Sequence, residues 1–470
     1  MQTERILNRM YCRFVLAIFF SSFLAMNPAL AAVSSDELLQ RIEKLERSNV
    51  KLEEKNAALE KVVANLQDKL SARDEKALAV PVPPVVPQVA SVPSIVPPLT
   101  TKPEIDIYGF VEIDSTWSDS SAGNVSGSSI ATSGLAAFSA PHETTVKNVG
   151  SYNLSAESTR LGMNIKSPGL AAGGKLTGKI ESDFSANSGP TYQPRLRLGY
   201  VQLEYAQWSV RVGQAWDFFA PVYPDILNGY GLCHVGDVGH RHPQAYIKNL
   251  WGEVLGGKLT TAFGMVDSDD PLQENSGVPV LGAYAGYARA ILGVPATMGL
   301  GQIYGTNSTS WLNNSGPKKN DIYATVAGLT LKFTDWLAFK SEAYSGGKLE
   351  DFKGGTPYTG LSNSALTAGS VQANIKPLRA MGGFIQLSIA PIKKVETNFG
   401  MGLDNIRNDA ETVGNTTVVW RTNRTSYANI NYNLTKEFLL GLEYQYFKTE
   451  YLDGYHGDDN RLMSIARYRF

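Results

Sequence analysis

Eight basic side chains are spaced so that they can act together. Arg195 and Arg197 lie two residues apart, Arg461, Arg467 and Arg469 fall in one phase of period two, and Arg160, Lys179 and Arg211 hold comparable places in neighbouring segments. Side chains two apart in an extended chain share a face, so each set presents its cations on one side. A guanidinium offers a planar fork of donors that matches a carboxylate bidentately, as the point charge of lysine does not. The chemistry expected of such a face is the capture of organic anions. The alternative for each single arginine is an ordinary solvated charge, balanced by Glu181, Asp183, Asp217 or Asp237.

A second group lies in the stretch Phe218 to His242. Cys233, His234, His240 and His242 bring together three of the chain's five histidines and one of its two cysteines. Thiolate and imidazoles suit zinc or copper. However, Cys-His followed after five residues by His-x-His is not a structural-zinc spacing. No metal or other cofactor is expected, and the four residues stand as the candidates for one. The same stretch opens with Phe218, Phe219, Ala220, Pro221, Val222 and Tyr223, which is too apolar to stand in solvent. Folded inward it would narrow a channel, bringing Asp217, Tyr223, Asp237, Arg241 and His242 to the constriction. Nothing in the chain resembles a nucleotide site or a nucleophilic triad, so no enzymatic reaction is expected.

These residues need elements to hold them, and the last stretch shows which. In Asn460 to Phe470, Leu462, Ser464, Ala466, Tyr468 and Phe470 fall on one face, and Arg461, Met463, Ile465, Arg467 and Arg469 on the other. An apolar, aromatic-tipped side for lipid and a cationic side for water describe a strand of a water-filled barrel. Sixteen such segments are bounded by turn residues, at about 104–117, 153–166, 174–184, 195–206, 208–217, 243–252, 256–267, 280–290, 295–305, 320–333, 336–346, 377–391, 395–406, 417–433, 438–450 and 460–470. Their connectors tend to alternate between tight and long, as periplasmic turns and external loops do, and an even strand count puts both ends of the barrel in the periplasm. All charges of Lys175 to Asp183 lie on one side. The phase of 195–206 breaks near Gln202, which implies a bulge or a subunit interface there.

The whole chain agrees. Its 470 residues contain 44 Gly, 22 Tyr, 18 Phe and 19% charged residues, with a net charge of -1, which points to neither nucleic acid nor an anionic surface as partner. After the start there is no apolar run of the ~20 residues that a membrane helix needs, so only a closed barrel can cross the bilayer. Residues 1–31 read as a secretory signal, with Arg5, Arg9 and Arg13 before the apolar run Phe14 to Met26 and Ala29-Leu30-Ala31 as the cleavage site. In 32–78, Leu38, Ile42, Leu45, Asn49, Leu52, Asn56, Leu59, Val63, Leu66 and Leu70 alternate spacings of four and three, the seam of a parallel coiled coil and hence of an oligomer. Residues 79–103 hold eight prolines among valines and read as a polyproline II spacer. Residues 104–470 are the barrel. The expected fold is therefore an all-β, sixteen-stranded antiparallel transmembrane β-barrel with an N-terminal periplasmic coiled-coil helix.

Five motifs add a resemblance. Ile107-Tyr108-Gly109-Phe110-Val111, Ser158-Thr159-Arg160-Leu161-Gly162, Arg195-Leu196-Arg197 with Tyr200-Val201, Val212-Gly213-Gln214-Ala215-Trp216, and Gly239-His240-Arg241-His242-Pro243-Gln244 are similar to motifs of the DcaP-like trimeric porins. The order signal, coiled coil, linker and barrel is similar too. The resemblance implies an outer-membrane homotrimer that passes small organic anions, with dicarboxylates and aromatic diacids as the associated solutes. The aromatic C-terminal strand resembles the signature of outer-membrane proteins, whose partners are the barrel-assembly machinery and the surrounding lipid. Two other classes stay open on the residues alone: an envelope tether whose rod contacts peptidoglycan, and a metal-uptake pore using the Cys/His stretch.

Overall fold

The computed structural model describes residues 103–119, 150–167, 170, 173–185, 193–227, 236–267, 277–308, 319–349, 352, 379–407, 420–452 and 454–470. The chain divides into two units, 1–98 and 99–470. The signal, coiled coil and linker expected before residue 103 lie outside the described residues.

The second unit is a closed antiparallel barrel. Its strands are β1 (Glu104–Ser118), β2 (Ser151–Ser155), β3 (Arg160–Lys166), β4 (Lys175–Asp183), β5 (Arg195–Tyr205), β6 (Trp208–Trp216), β7 (Arg241–Val254), β8 (Gly257–Val266) and β9 (Val280–Ile291), followed by β10 (Val294–Ser308), β11 (Lys319–Lys332), β12 (Leu337–Gly347), β13 (Arg379–Ile392), β14 (Val395–Ile406), β15 (Trp420–Asn433), β16 (Phe438–Tyr451) and β17 (His456–Arg469). Each pairs with its chain neighbours, and β17 closes on β1 from Phe110↔Arg469 to Ser118↔Arg461. Reciprocal bonds between Gly109 and Phe470, at 3.2 and 3.1 Å, extend the seam to the last residue.

There are seventeen segments but sixteen staves, because β2 and β3 both pair with β1 as one interrupted strand. The interruption has a local cause. Thr159 turns its N–H back to the Ala156 carbonyl (3.1 Å), and its hydroxyl takes the place of a ladder partner, accepting from the Glu112 N–H (3.1 Å).

The burial pattern is the reverse of a soluble protein's. Ile107 (69% exposed), Val111, Leu161, Ile180, Val201 and Val212 stand on the outer wall, whereas Glu112, Asp183, Arg197, Glu342, Asp404 and Glu443 are buried on the inner one. Backbone groups within a bilayer must be satisfied internally, and closure leaves no strand edge to satisfy.

On β17 the alternation runs as its sequence reads, with Arg461, Met463 and Ile465 buried inward and Tyr468 exposed. The phase break on β5 has a different position from that expected. Glu181 opposes Leu198 and Ser182 opposes Leu196, so Arg197 is the extra residue of a bulge. The bulge turns Arg197 and Leu198 both inward and leaves Tyr200, Gln202 and Glu204 in the lumenal phase; it lies five residues before Gln202.

One end of the barrel carries short hairpins. Leu255-Gly256 (φ 53 and 74) and Leu292-Gly293 (φ 51 and 81) have positive φ at both central residues, the type I′ geometry that matches strand twist. The connectors at the other end are longer apart from the tight turn between β16 and β17, and both barrel termini lie at the short-turn end.

Candidate functional site

The stretch between β6 and β7 enters the lumen, as its apolar opening requires. Phe219 is fully buried and packs in one cluster with Val266, Val280, Ile303, Ile322, Val326 and Phe352. Gly301 makes the approach possible: a Cβ there would lie 1.8 Å from the Phe219 carbonyl oxygen.

Beyond Pro221 the chain crosses to the far wall. The Asp225 carboxylate takes Lys340 Nζ at 2.5 Å and Gln386 Nε2 at 2.6 Å, while its backbone carbonyl accepts from Asn429 (2.7 Å). The Leu227 N–H donates to Glu443 at 2.8 Å. On the return, Gly236 N–H donates to Asp404 (3.2 Å) and Val238 N–H to Glu342 (3.0 Å). Buried carboxyl groups on three strands thus receive backbone N–H groups from one loop, and these bonds hold it across the barrel.

The loop's root is also fixed. His242 is fully buried with Nδ1 2.8 Å from Asp217 Oδ1, and Asp217 Oδ2 accepts the His240 N–H at 2.7 Å. The Gln244 amide donates to the Ala215 and Trp216 carbonyls and accepts the Phe218 N–H. The Arg241 guanidinium lies over Trp216 (5.0 Å) and 3.1 Å from His240 Nε2, and Tyr223 packs against the same indole with ring centroids 5.0 Å apart. Asp237 is buried in the return segment. Asp217, Tyr223, Arg241 and His242 therefore come together at the root of the inward loop, whereas Asp237 lies in its return segment.

The metal candidates divide. His240 and His242 have ring centroids 6.2 Å apart, and His242 Nδ1 is taken by Asp217. Cys233 and His234 lie outside the described residues.

The arginines of β3 and β5 gather on one wall with the carboxylates of β4 among them. Arg195 grips Asp183 bidentately (3.0 and 2.7 Å), and Arg197, 5% exposed, bonds Asp183 at 2.6 Å and Glu181 at 3.1 Å. Arg160 lies 3.9 Å from Glu181 and over the Phe110 ring at 5.2 Å. From β17, Arg467 pairs with Glu112 and covers the same Phe110 ring at 4.4 Å, and Arg461 bonds Asp459 at 3.0 Å. This upper cluster is a compensated lattice.

The remaining three cations have other partners. Lys179 lies 4.5 Å over Tyr108, Arg469 donates to the Asn433 amide at 3.4 Å, and Arg211 donates to the Gln202 amide at 2.7 Å while lying 4.2 Å over Tyr200 and 5.7 Å from Tyr246.

Two hollows flank the loop's root. One of about 600 Å³ is lined by Arg467, Arg469, Lys340, Asp225 and Glu396. The other, of about 570 Å³, is lined by Arg211, Tyr246, Lys248, Lys258 and Tyr284 beneath Phe218 and Pro221. Lys248 and Lys258 are not among the residues singled out from the sequence. Their signal was available, since each stands in the lumenal phase of its strand.

Comparison with solved structures places this architecture. The chain superposes on the outer membrane channel DcaP of Acinetobacter baumannii with a TM-score of 0.60, at 17% identity, over 78% of this chain and 98% of that one. It superposes on the anion-selective porin from Comamonas acidovorans with a TM-score of 0.52, at 12% identity, over 78% of this chain and all of that one (100%). No protein-family model and no curated protein sequence matches the chain. The structural neighbours are thus DcaP and other porins, and they show the fold: a closed sixteen-stranded antiparallel barrel. The resemblance drawn from the sequence motifs leads to the same neighbour.

Proposed function

We propose that the protein is a passive diffusion channel of the outer membrane of a Gram-negative bacterium, passing small organic anions, dicarboxylates or aromatic diacids among them. The observation that carries this reading is the inward loop. It is bonded to the far wall at Asp225, Leu227, Gly236 and Val238 and leaves hollows edged by Arg211, Lys248, Arg467 and Arg469. A pore selects by the charges at its narrowest part. Fixed dipoles and cations there favour carboxylates without any energy input.

The anion preference stated for the Comamonas acidovorans porin, which has the same fold, is in line with this reading. Of the candidate residues, Lys179, Arg211 and Arg469 act on the solute with least compensation, and Arg160, Arg195, Arg197, Arg461 and Arg467 act through their carboxylate pairs. Tyr223, Asp217, Asp237, Arg241 and His242 position the loop.

The short-turn end faces the periplasm, where residues 32–78 assemble three copies into a homotrimer; lipid and the barrel-assembly machinery are the remaining partners. Reversal potentials across a salt gradient in planar bilayers test the reading. The expected result is salt-dependent steps with anion over cation preference. Absence of steps favours the envelope tether, and cation preference favours metal uptake.

A further inference from the structure

The 570 Å³ hollow on the periplasmic side of the constriction loop has a composition of its own. Arg211 on β6 opposes Tyr246 on β7, and Lys248 follows two residues further along β7 on the same face. Diagonal neighbours of this kind have Cα atoms about 7–8 Å apart, so the two cationic heads can converge on one anionic group.

The floor and roof are apolar. Tyr284, two strands along the wall on β9, also lines the hollow, with Phe218 packed on Tyr246 (ring centroids 4.7 Å apart) and Pro221 on the loop side. Lys258 stands nearer the short-turn end.

The carboxylate that lines this hollow, Asp217, spends both oxygens on His242 and the His240 N–H. Glu204, outside the lining, accepts from the Gln202 amide, whose oxygen in turn takes Arg211. A charged rim over aromatic walls is suited to a small anion with a flat apolar body.

We propose that this hollow is a binding station for aromatic carboxylates, with Arg211 and Lys248 on the carboxylate and Tyr246 and Tyr284 against the ring. The station rests on the organic-anion reading above and adds to it a place below the constriction where solute pauses before release. A site weak enough to leave, in series with the constriction, favours conduction by successive hops.

The test uses benzoate as the probe on the full chain in detergent, with binding followed by saturation-transfer NMR, which needs no ion flow. Lys248→Gln removes a charge-assisted contact and is expected to weaken benzoate about tenfold. Tyr284→Leu is expected to weaken benzoate about threefold while leaving acetate unchanged. Arg407→Gln, at the far end of β14, is the control.

Benzoate affinity unmoved by Lys248→Gln overturns the station, and equal loss of benzoate and acetate in Tyr284→Leu overturns its aromatic preference. Bilayer recordings of the same preparations separate the two levels. A channel with anion preference whose benzoate binding ignores Lys248 defeats the station alone, whereas benzoate binding at Lys248 in a channel without anion preference supports the station and defeats the transport reading.

Discussion

The pairing around Asp183 makes a quantitative claim about which arginines set selectivity. Arg195 and Arg197 both bond Asp183, and Arg197 also bonds Glu181, so two guanidiniums and two carboxylates form a unit of zero net charge. An uncompensated guanidinium acting on a permeating anion at about 6 Å through water contributes about 0.7 kcal/mol, about a threefold enrichment. With a carboxylate about 4 Å behind it, the same guanidinium contributes about 0.3 kcal/mol, less than about twofold. Arg211, whose polar partner is a neutral amide, keeps the larger value.

The neutral-pair variant Arg195→Gln with Asp183→Asn should therefore change the chloride-to-potassium permeability ratio by less than about twofold, and Arg211→Gln should lower it by about threefold. Arg195→Ala with Arg197→Ala is a different perturbation. It strips Asp183 and Glu181 of these partners and uncovers two negative charges, so the ratio should move toward cations and the preference be lost. Breaking buried pairs costs about 3–5 kcal/mol, so oligomer integrity of that variant is checked first on a native gel. The assay is the reversal potential across a KCl gradient. Near 1 M salt, where the screening length falls from ~8 Å to ~3 Å, the differences must shrink. If the neutral-pair variant loses as much selectivity as Arg211→Gln, the guanidiniums act singly and the compensated-unit argument is wrong.

Gly301→Val should displace the loop's root, because the new side chain meets the Phe219 carbonyl oxygen and backbone cannot yield as a flexible tip can; larger and noisier single-channel conductance is expected, and an unchanged trace contradicts a loop fixed by that contact. Val201→Lys places a charge on the outer wall and should destabilise the barrel by about 2–4 kcal/mol at mid-depth, read as a shift in the urea midpoint in lipid, whereas Val201→Leu should leave it in place. Under the proposed assembly, in which barrel walls as well as the rod would hold three copies together, deleting residues 33–100 should leave a folded trimer by native mass measurement; a monomer or dimer would count against that assembly.

The staves were readable because lipid enforces alternation: each outward charge is penalised, so Lys175 to Asp183 and Arg461 to Arg469 show their faces in the sequence itself. The inward loop was readable for a similar reason, as six apolar residues from Phe218 to Tyr223 have nowhere else to go. The β5 bulge was visible only through its effect. A phase slip becomes evident once polar residues reappear on the wrong parity, at Gln202 and Glu204, although the extra residue is Arg197, whose own polarity hides it.

Pairing was harder, because whether Arg197 meets Glu181 depends on the register of β4 with β5, which alternation leaves free by any even number of residues. The loop's anchors were beyond reach altogether. Glu342, Asp404 and Glu443 receive backbone N–H groups from residues 104, 168 and 216 positions away, and a backbone donor carries no side-chain signal. These three acids, which the sequence reading did not single out, serve as the loop's mooring in the fold. That division follows from the chemistry: carboxylates that hold the loop cannot also repel the solute with full charge, so the two acid-rich walls of the lumen are quieter than their composition suggests. On the proposed reading, selectivity then falls to the few cations, Arg211, Lys179 and Arg469, that face amides and tyrosines instead.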